Sequence, residues 1–233
     1  MKSTKQWLII VCVSMIFSFL YGAITVQYKI PPFEQLSAIK RLVSPPPSYS
    51  TYYAYKTAIF EQDRGQYDVV FIGDSITDGG KWDDLFPMLK SANRGINDDK
   101  TDGVLKRMDS IYSTHAKKAF IMIGINDFAH GATVDDVVEN YKTIIGNLVA
   151  HGMQTYVQST ILAGRQHDEL NNNIMALNER LKKMADENKA FTYIDLNAGL
   201  ANGTILDPNY TRDDIHLNGS GYAVWKNILK NYL

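Results

Sequence analysis

The chain has 233 residues, 45% of them hydrophobic, and its 24 lysines and arginines against 25 acids leave a formal net charge of −1. That content predicts one medium-sized α/β domain with a sizeable core plus extra length at one end. The basic residues are scattered and form no stripe that would follow a phosphate backbone, which argues against nucleic acid as a partner.

The extra length is N-terminal. Lys2 and Lys5 precede WLIIVCVSMIFSFLYGAITV, residues 7–26, which carry no charged side chain and are just long enough to cross a bilayer as a helix. The lysines predict that this end stays in the cytoplasm while the rest is exported, periplasmic or at the cell surface in a bacterium. Tyr21 before Ala23 fits a cleavage site poorly, so residues 1–26 read as an uncleaved signal anchor in preference to a signal peptide. Cys12, the only cysteine, lies in this run, so no disulfide forms within the chain and the exported part must be held by its core. Residues 27–50, with Pro31-Pro32 and Pro45-Pro46-Pro47, read as a stalk. The domain proper is 51–233.

Within it, YYAYKTAIFEQ (52–62) predicts a short amphipathic helix, and apolar runs then alternate with helical patterns. Strands are expected near 68–73, 91–96, 118–124, 154–160 and 191–196, and helices near 101–113, 133–151, 168–188 and 219–232. This alternation implies a five-stranded parallel sheet covered on both faces, with ligands bound outside the carboxyl ends of its strands.

The loops at those ends hold the chemically suggestive residues. Ser75, in VVFIGDSITDGG (69–80), follows the first strand directly; a serine hydroxyl needs a base, normally a histidine oriented by a third group. Of the five histidines, His115, His130, His151 and His167 lack a suitably spaced acid at a strand end. His216, in TRDDIHLNGSGY (211–222), has Asp213 three residues before it, a spacing that folds one turn back onto Nδ1, with Asp214 as a less suitable rival. Asn126, in MIGINDF (122–128), supplies an amide donor at the same edge for a developing oxyanion. A lone G-D-S, D-x-x-H or turn asparagine has a bland reading as a cap or turn former. Their common edge favours the chemical one. No metal motif and no G-x-G-x-x-G is present, and no cofactor is needed.

GDSITD, GIND and DDIHLNGSGY, in this order and at these intervals, resemble the SGNH, or GDSL, hydrolase family of esterases and acetylhydrolases. The text between them is similar to bacterial relatives of the platelet-activating-factor acetylhydrolase catalytic subunits. The resemblance covers about 175 residues and implies a flavodoxin-like three-layer α/β/α sandwich. It further implies Ser75 as nucleophile, His216 as general base, Asp213 as its orienter, and the Ser75 N–H and Asn126 side chain in the oxyanion hole. One block departs from the family: where relatives read N-x-G-I-G-G-D-T-T, this chain reads NRGINDDKT (93–101), placing Asp98 where a glycine N–H would complete the hole. A main-chain N–H survives that change, with Gly95 as the alternative donor if the loop shifts. A carboxylate beside the oxyanion would oppose it unless turned to solvent or held by Arg94 or Lys100. The expected activity is removal of a short acyl group, acetyl above all, from an acylated small molecule or polysaccharide. An acyltransferase with the same triad, or a silent glycan-binding or assembly protein, is the alternative. The sequence does not fix the oligomeric state.

Overall fold

The computed structural model describes residues 4–28 and 50–233, in two units that divide at 48/49. Most of the expected stalk, 29–49, lies outside the described residues. In the N-terminal unit a helix, α1, runs over Thr4–Tyr28. Its side chains are described continuously from Val11 to Thr25, and among the described residues no helix is long and apolar enough to cross a membrane. The expected span is therefore carried by the sequence alone.

The second unit opens with α2 (Thr51–Gln62), then β1 (Val69–Gly73), α3 (Ser75–Asp78), α4 (Trp82–Leu85) and β2 (Ser91–Gly95). There follow α5 (Thr101–Lys106), α6 (Met108–Tyr112), β3 (Lys118–Met122), α7 (Ile125–Ala129), α8 (Val134–Ala150) and β4 (Gln154–Gln158). A 3-10 turn (Arg165–Leu170) leads into α9 (Asn171–Asn188), β5 (Thr192–Ile194) and α10 (Asn197–Leu200). A small antiparallel pair, β6 (Ala201–Asn202) and β7 (Ile205–Leu206), precedes α11 (Gly219–Leu229).

β1 to β5 form one parallel sheet in the order 2-1-3-4-5, the order of flavodoxin-like sheets, whose switch point lies between β1 and β3. Period-two alternation sends neighbouring strand residues into two cores. Val70, Ile72, Ala119 and Ile121 pack with α8 and α9 through Tyr141, Ile144, Leu177 and Leu181. Val69, Phe71, Phe120 and Met122 pack with α4 and α11 through Trp82 and Trp225. Both faces are covered, which is why the strands read as continuous apolar runs.

β2 ends one residue before its expected end, and β3, β4 and β5 each end two residues early because side chains take over the backbone hydrogen bonds there. The Tyr141 hydroxyl accepts from Ile123 N and donates to Ile123 O. Asn178 brackets Thr160 through both its N–H and its carbonyl, and Ser159 Oγ accepts from Leu196 N. The helix expected over 101–113 breaks at Arg107, whose φ of −118° and ψ of 21° leave the helical region. Its buried side chain is turned toward the carboxyl end of β1.

Candidate active site

β1 delivers its last residue, Gly73, into a space that admits no side chain: a Cβ there would lie 2.2 Å from Thr77 Oγ1 and 2.3 Å from the Met122 carbonyl. The chain then turns at Asp74, whose carboxylate Oδ1 accepts the Ile76 N–H at 3.0 Å and caps α3. Ser75 is the first residue of that turn, half-buried at the carboxyl edge of the sheet. The bland and the chemical reading are thus divided between neighbours: Asp74 is the cap, and Ser75 Oγ is left to meet another group.

That group is His216. Its Nε2 lies 2.9 Å from Ser75 Oγ, and its Nδ1 lies 2.7 Å from Asp213 Oδ2. Asp213 folds back as the spacing predicts, Oδ1 accepting the N–H of Ile215 at 3.1 Å and of His216 at 2.8 Å. Burial works against the Asp213 charge, but these N–H groups and the His216 ring outweigh it and hold the carboxyl down at about 2. An ionised carboxylate only accepts, so Nδ1 carries the proton and Nε2 presents its lone pair to the serine hydroxyl. Asp214, the rival acid, is occupied elsewhere, accepting the Gln166 N–H at 2.9 Å.

The Asn126 amide, on α7, donates to the Asp99 carbonyl at 3.0 Å and is thereby fixed against the 96–100 loop. Asp98 sits in that loop with φ of 61°, the left-handed region where a glycine would be at ease and an aspartate is tolerated. Its carboxylate is half exposed and faces His130 Nε2 at 3.9 Å. The bases expected to hold it are engaged elsewhere: Arg94 pairs with Asp63 at 2.7 Å, and Lys100 lies 3.7 Å from Asp102. Gly95, the alternative donor, already gives its N–H to Asn93 Oδ1 at 2.9 Å. A Cβ on it would lie 2.2 Å from Asp78 N, so its glycine serves close packing of β2 against α3.

Beneath the site lies a buried polar layer that sequence spacing did not reveal. Arg107 meets Asp99 Oδ2 through Nε at 2.9 Å and Nη2 at 2.8 Å, and Nη2 also donates to the Gly73 carbonyl at 3.3 Å. Asp127 accepts the N–H of Thr101 and, at 2.5 Å, its hydroxyl, while burial pushes its carboxyl up to about 6 against those bonds. His130, which lacks a suitably spaced acid in the sequence, donates through Nδ1 to the Asn126 carbonyl, 2.8 Å away, while its Nε2 faces Asp98. Its only sequence signal was its place four residues after Asn126 on one helical turn.

Asp74 is fully buried, and its Oδ2 has no partner among the described residues. Burial, reinforced by Asp99 and Asp127, pushes its carboxyl up to about 7. The unfolded chain releases this proton near pH 3.9 and the folded one only near 7, so this group's stability contribution is greatest below pH 4 and declines as pH rises between the two. Asp74→Asn retains an acceptor for Ile76 and should flatten that decline, by on the order of a few kcal/mol between pH 4.5 and 7.5. Urea unfolding at the two pH values measures it, with Asp127 leaving a residual slope of the same sign. Identical slopes in variant and parent would refute the assignment.

This arrangement, a parallel 2-1-3-4-5 sheet with a serine–histidine–aspartate chain of hydrogen bonds at its carboxyl edge, has the parts of an acyl-transfer hydrolase. Residues 71–224 match the model of the GDSL-like lipase/acylhydrolase family. The chain belongs to that family and is a serine ester hydrolase. It is 26% identical over 166 residues to the human platelet-activating factor acetylhydrolase IB subunit alpha1, covering 67% of this chain and 71% of that one. The bovine alpha2 subunit is 24% identical over 163 residues, again covering 67% and 71%. Among solved structures, a GDSL-like lipase from Bacteroides thetaiotaomicron superposes with a TM-score of 0.66 at 24% identity, covering 77% of this chain and 94% of its own. An acetylxylan esterase from Geobacillus stearothermophilus, a catalytic mutant, superposes with a TM-score of 0.60 at 16% identity, covering 72% and 94%.

Proposed function

We propose that this hydrolase removes a short acyl group, acetyl above all, from a carbohydrate or small-molecule ester outside the cytoplasm. The observation that carries the catalytic part is the unbroken chain Ser75 Oγ to His216 Nε2 at 2.9 Å and His216 Nδ1 to Asp213 at 2.7 Å. In this reading His216 takes the serine proton as Oγ attacks the ester carbonyl, and Asp213 stabilises the imidazolium that results. The proton then goes to the leaving alkoxide, and water, deprotonated by the same histidine, releases the acid and regenerates Ser75. The Ser75 N–H, the Asn126 amide and the Asp98 N–H serve as oxyanion donors, with the Asp98 carboxylate directed toward His130 and away from the developing charge. That orientation favours hydrolysis over a silent binding role. The half-exposed triad favours small, soluble leaving groups, and acetyl esters on sugars fit it. The test is acetate release by the full chain from an acetylated sugar and from aryl esters of increasing acyl length. Turnover that rises with chain length would overturn the short-acyl assignment, and no turnover on any ester would overturn the whole reading.

The location rests on the uncharged run 7–26 behind Lys2 and Lys5. The protein should remain in the membrane fraction through a high-salt wash, with a mature N-terminus that still contains Lys2. A soluble form beginning near residue 24 would show cleavage instead.

A further inference from the structure

α2 lies outside the residues that match the family, yet it is bonded to the turn that carries Ser75. Tyr52 Oη donates to Asp78 Oδ2 at 2.7 Å, and Lys56 Nζ lies 2.6 Å from Asp78 Oδ1. Asp78 stands three residues after Ser75 in α3, on the same helical face. The inner side of α2 is anchored as well: Tyr53 Oη donates to the Gly103 carbonyl at 2.8 Å, and Phe60 packs against Ile96 and under the Arg94 guanidinium, 4.6 Å from its ring centre.

The sequence predicts an amphipathic α2, and the structure shows apolar side chains on two faces. Beside the face of Tyr53 and Phe60, a stripe of Tyr52, Tyr55 and Ile59, at spacings of three and four, is 40%, 61% and 45% exposed. The second unit otherwise exposes only Met88, Val149 and Met175 among its large described hydrophobics, each isolated on another segment. The rest of the helix surface carries Lys56, Thr57, Glu61 and Gln62, so the stripe is a discrete apolar patch on an otherwise polar surface. The two tyrosine rings lie 6.4 Å apart, inclined by 39°, and hydrogen bonding to Asp78 holds the Tyr52 hydroxyl protonated, up to about 12. Two rings and an isoleucine offer far less than the ~800 Å² per partner that a stable second copy needs. Two exposed, mutually inclined rings edged by hydroxyls, an ammonium and a carboxylate, the first bonded to Asp78 one helical turn from the nucleophile, suit a ligand with C–H faces and a hydroxyl rim.

We propose that Tyr52 and Tyr55 form a sugar-stacking platform at the rim of the active site, selecting esters carried on a pyranose chain. This deepens the carbohydrate-ester reading above and rests on it. The platform acts on binding of the carrier and leaves the acyl chemistry to Ser75.

The experiment compares kcat/KM of the full chain on an acetylated xylo-oligosaccharide and on p-nitrophenyl acetate. In Tyr55→Ala and Tyr52→Ala the ratio of the two should fall about 5- to 10-fold, through KM for the oligosaccharide, and Tyr55→Trp should restore it. Tyr52→Phe, which keeps the ring and loses the Asp78 bond, separates stacking from anchoring: the ratio should follow the ring. An unchanged ratio, or an equal fall on both substrates, would overturn the platform, as would a concentration-dependent dimer that the variants abolish. If the parent hydrolyses neither ester, the enzymatic reading has failed, and the platform is then judged on binding alone. Unacetylated xylo-oligosaccharide titrated into Ser75→Ala should perturb the Tyr55 ring signals, and their constancy would sink the inference.

Discussion

Replacing Ser75 by alanine should lower ester hydrolysis by roughly 10³-fold or more, and His216→Ala should do the same, with the thermal transition unmoved because neither side chain is part of the core. The double variant should be no worse than either single one, since serine and histidine act as one unit in moving a single proton. Asp213→Asn should cost somewhat less. Its carboxylate stands at the surface beside a half-exposed imidazole, so water replaces part of its orienting effect. With the Asp213 carboxyl held at about 2, it stays ionised across any practical assay range, and an acid limb in kcat/KM does not report its titration. Folded Ser75→Ala with full activity would remove the triad assignment.

The triad was legible because its three members are local signals placed by long-range rules. Ser75 follows a buried strand, Asp213 and His216 are separated by one turn, and a parallel sheet gathers both at its carboxyl edge. The strands were legible for a related reason, as residues covered on both faces cannot alternate with polar ones. Their ends were not. Where Tyr141, Ser159 and Asn178 replace strand partners, pairing stops a residue or two early, and nothing in the spacing of apolar residues announces that exchange. The Asp98 environment was hidden in the same way. Arg94 and Lys100 are its neighbours in sequence, but β-strand geometry sends the Arg94 side chain toward Asp63 and α2, and the group that faces Asp98 arrives from another loop. Asn126 was found as a donor, while its support, the Asp99 carbonyl, was visible only in three dimensions.

That support makes Arg107 the residue whose loss should be felt most in stability. Asp99 and Arg107 are almost wholly buried, 0% and 2% exposed at their side chains. Burial raises the Asp99 carboxyl and the guanidinium opposes that rise, so the charge on Asp99 is tolerated through Arg107. Arg107→Ala leaves a buried carboxylate with the Lys100 N–H alone to accept from, and should destabilise the fold by about 3–5 kcal/mol at neutral pH, a large share of an ordinary domain's stability. Arg107→Lys should recover little, because a single ammonium does not reach both Asp99 and the Gly73 carbonyl as the planar guanidinium does. The deficit should shrink toward pH 5, where the unpaired Asp99 escapes its penalty by taking up a proton; in this variant stability falls as pH rises because the folded state binds the proton more tightly than the unfolded one. Asp99→Asn combined with Arg107→Met should be more stable than Arg107→Ala, since removing both charges leaves none to desolvate. Urea titrations at pH 5 and pH 8 check all three statements, and a loss below about 1 kcal/mol that is equal at both pH values would show the pair to be bystanders. Activity gives an independent reading: with the Asp99 loop loosened, the carbonyl that holds the Asn126 amide shifts, and kcat on aryl acetate should fall even at temperatures where Arg107→Ala remains folded.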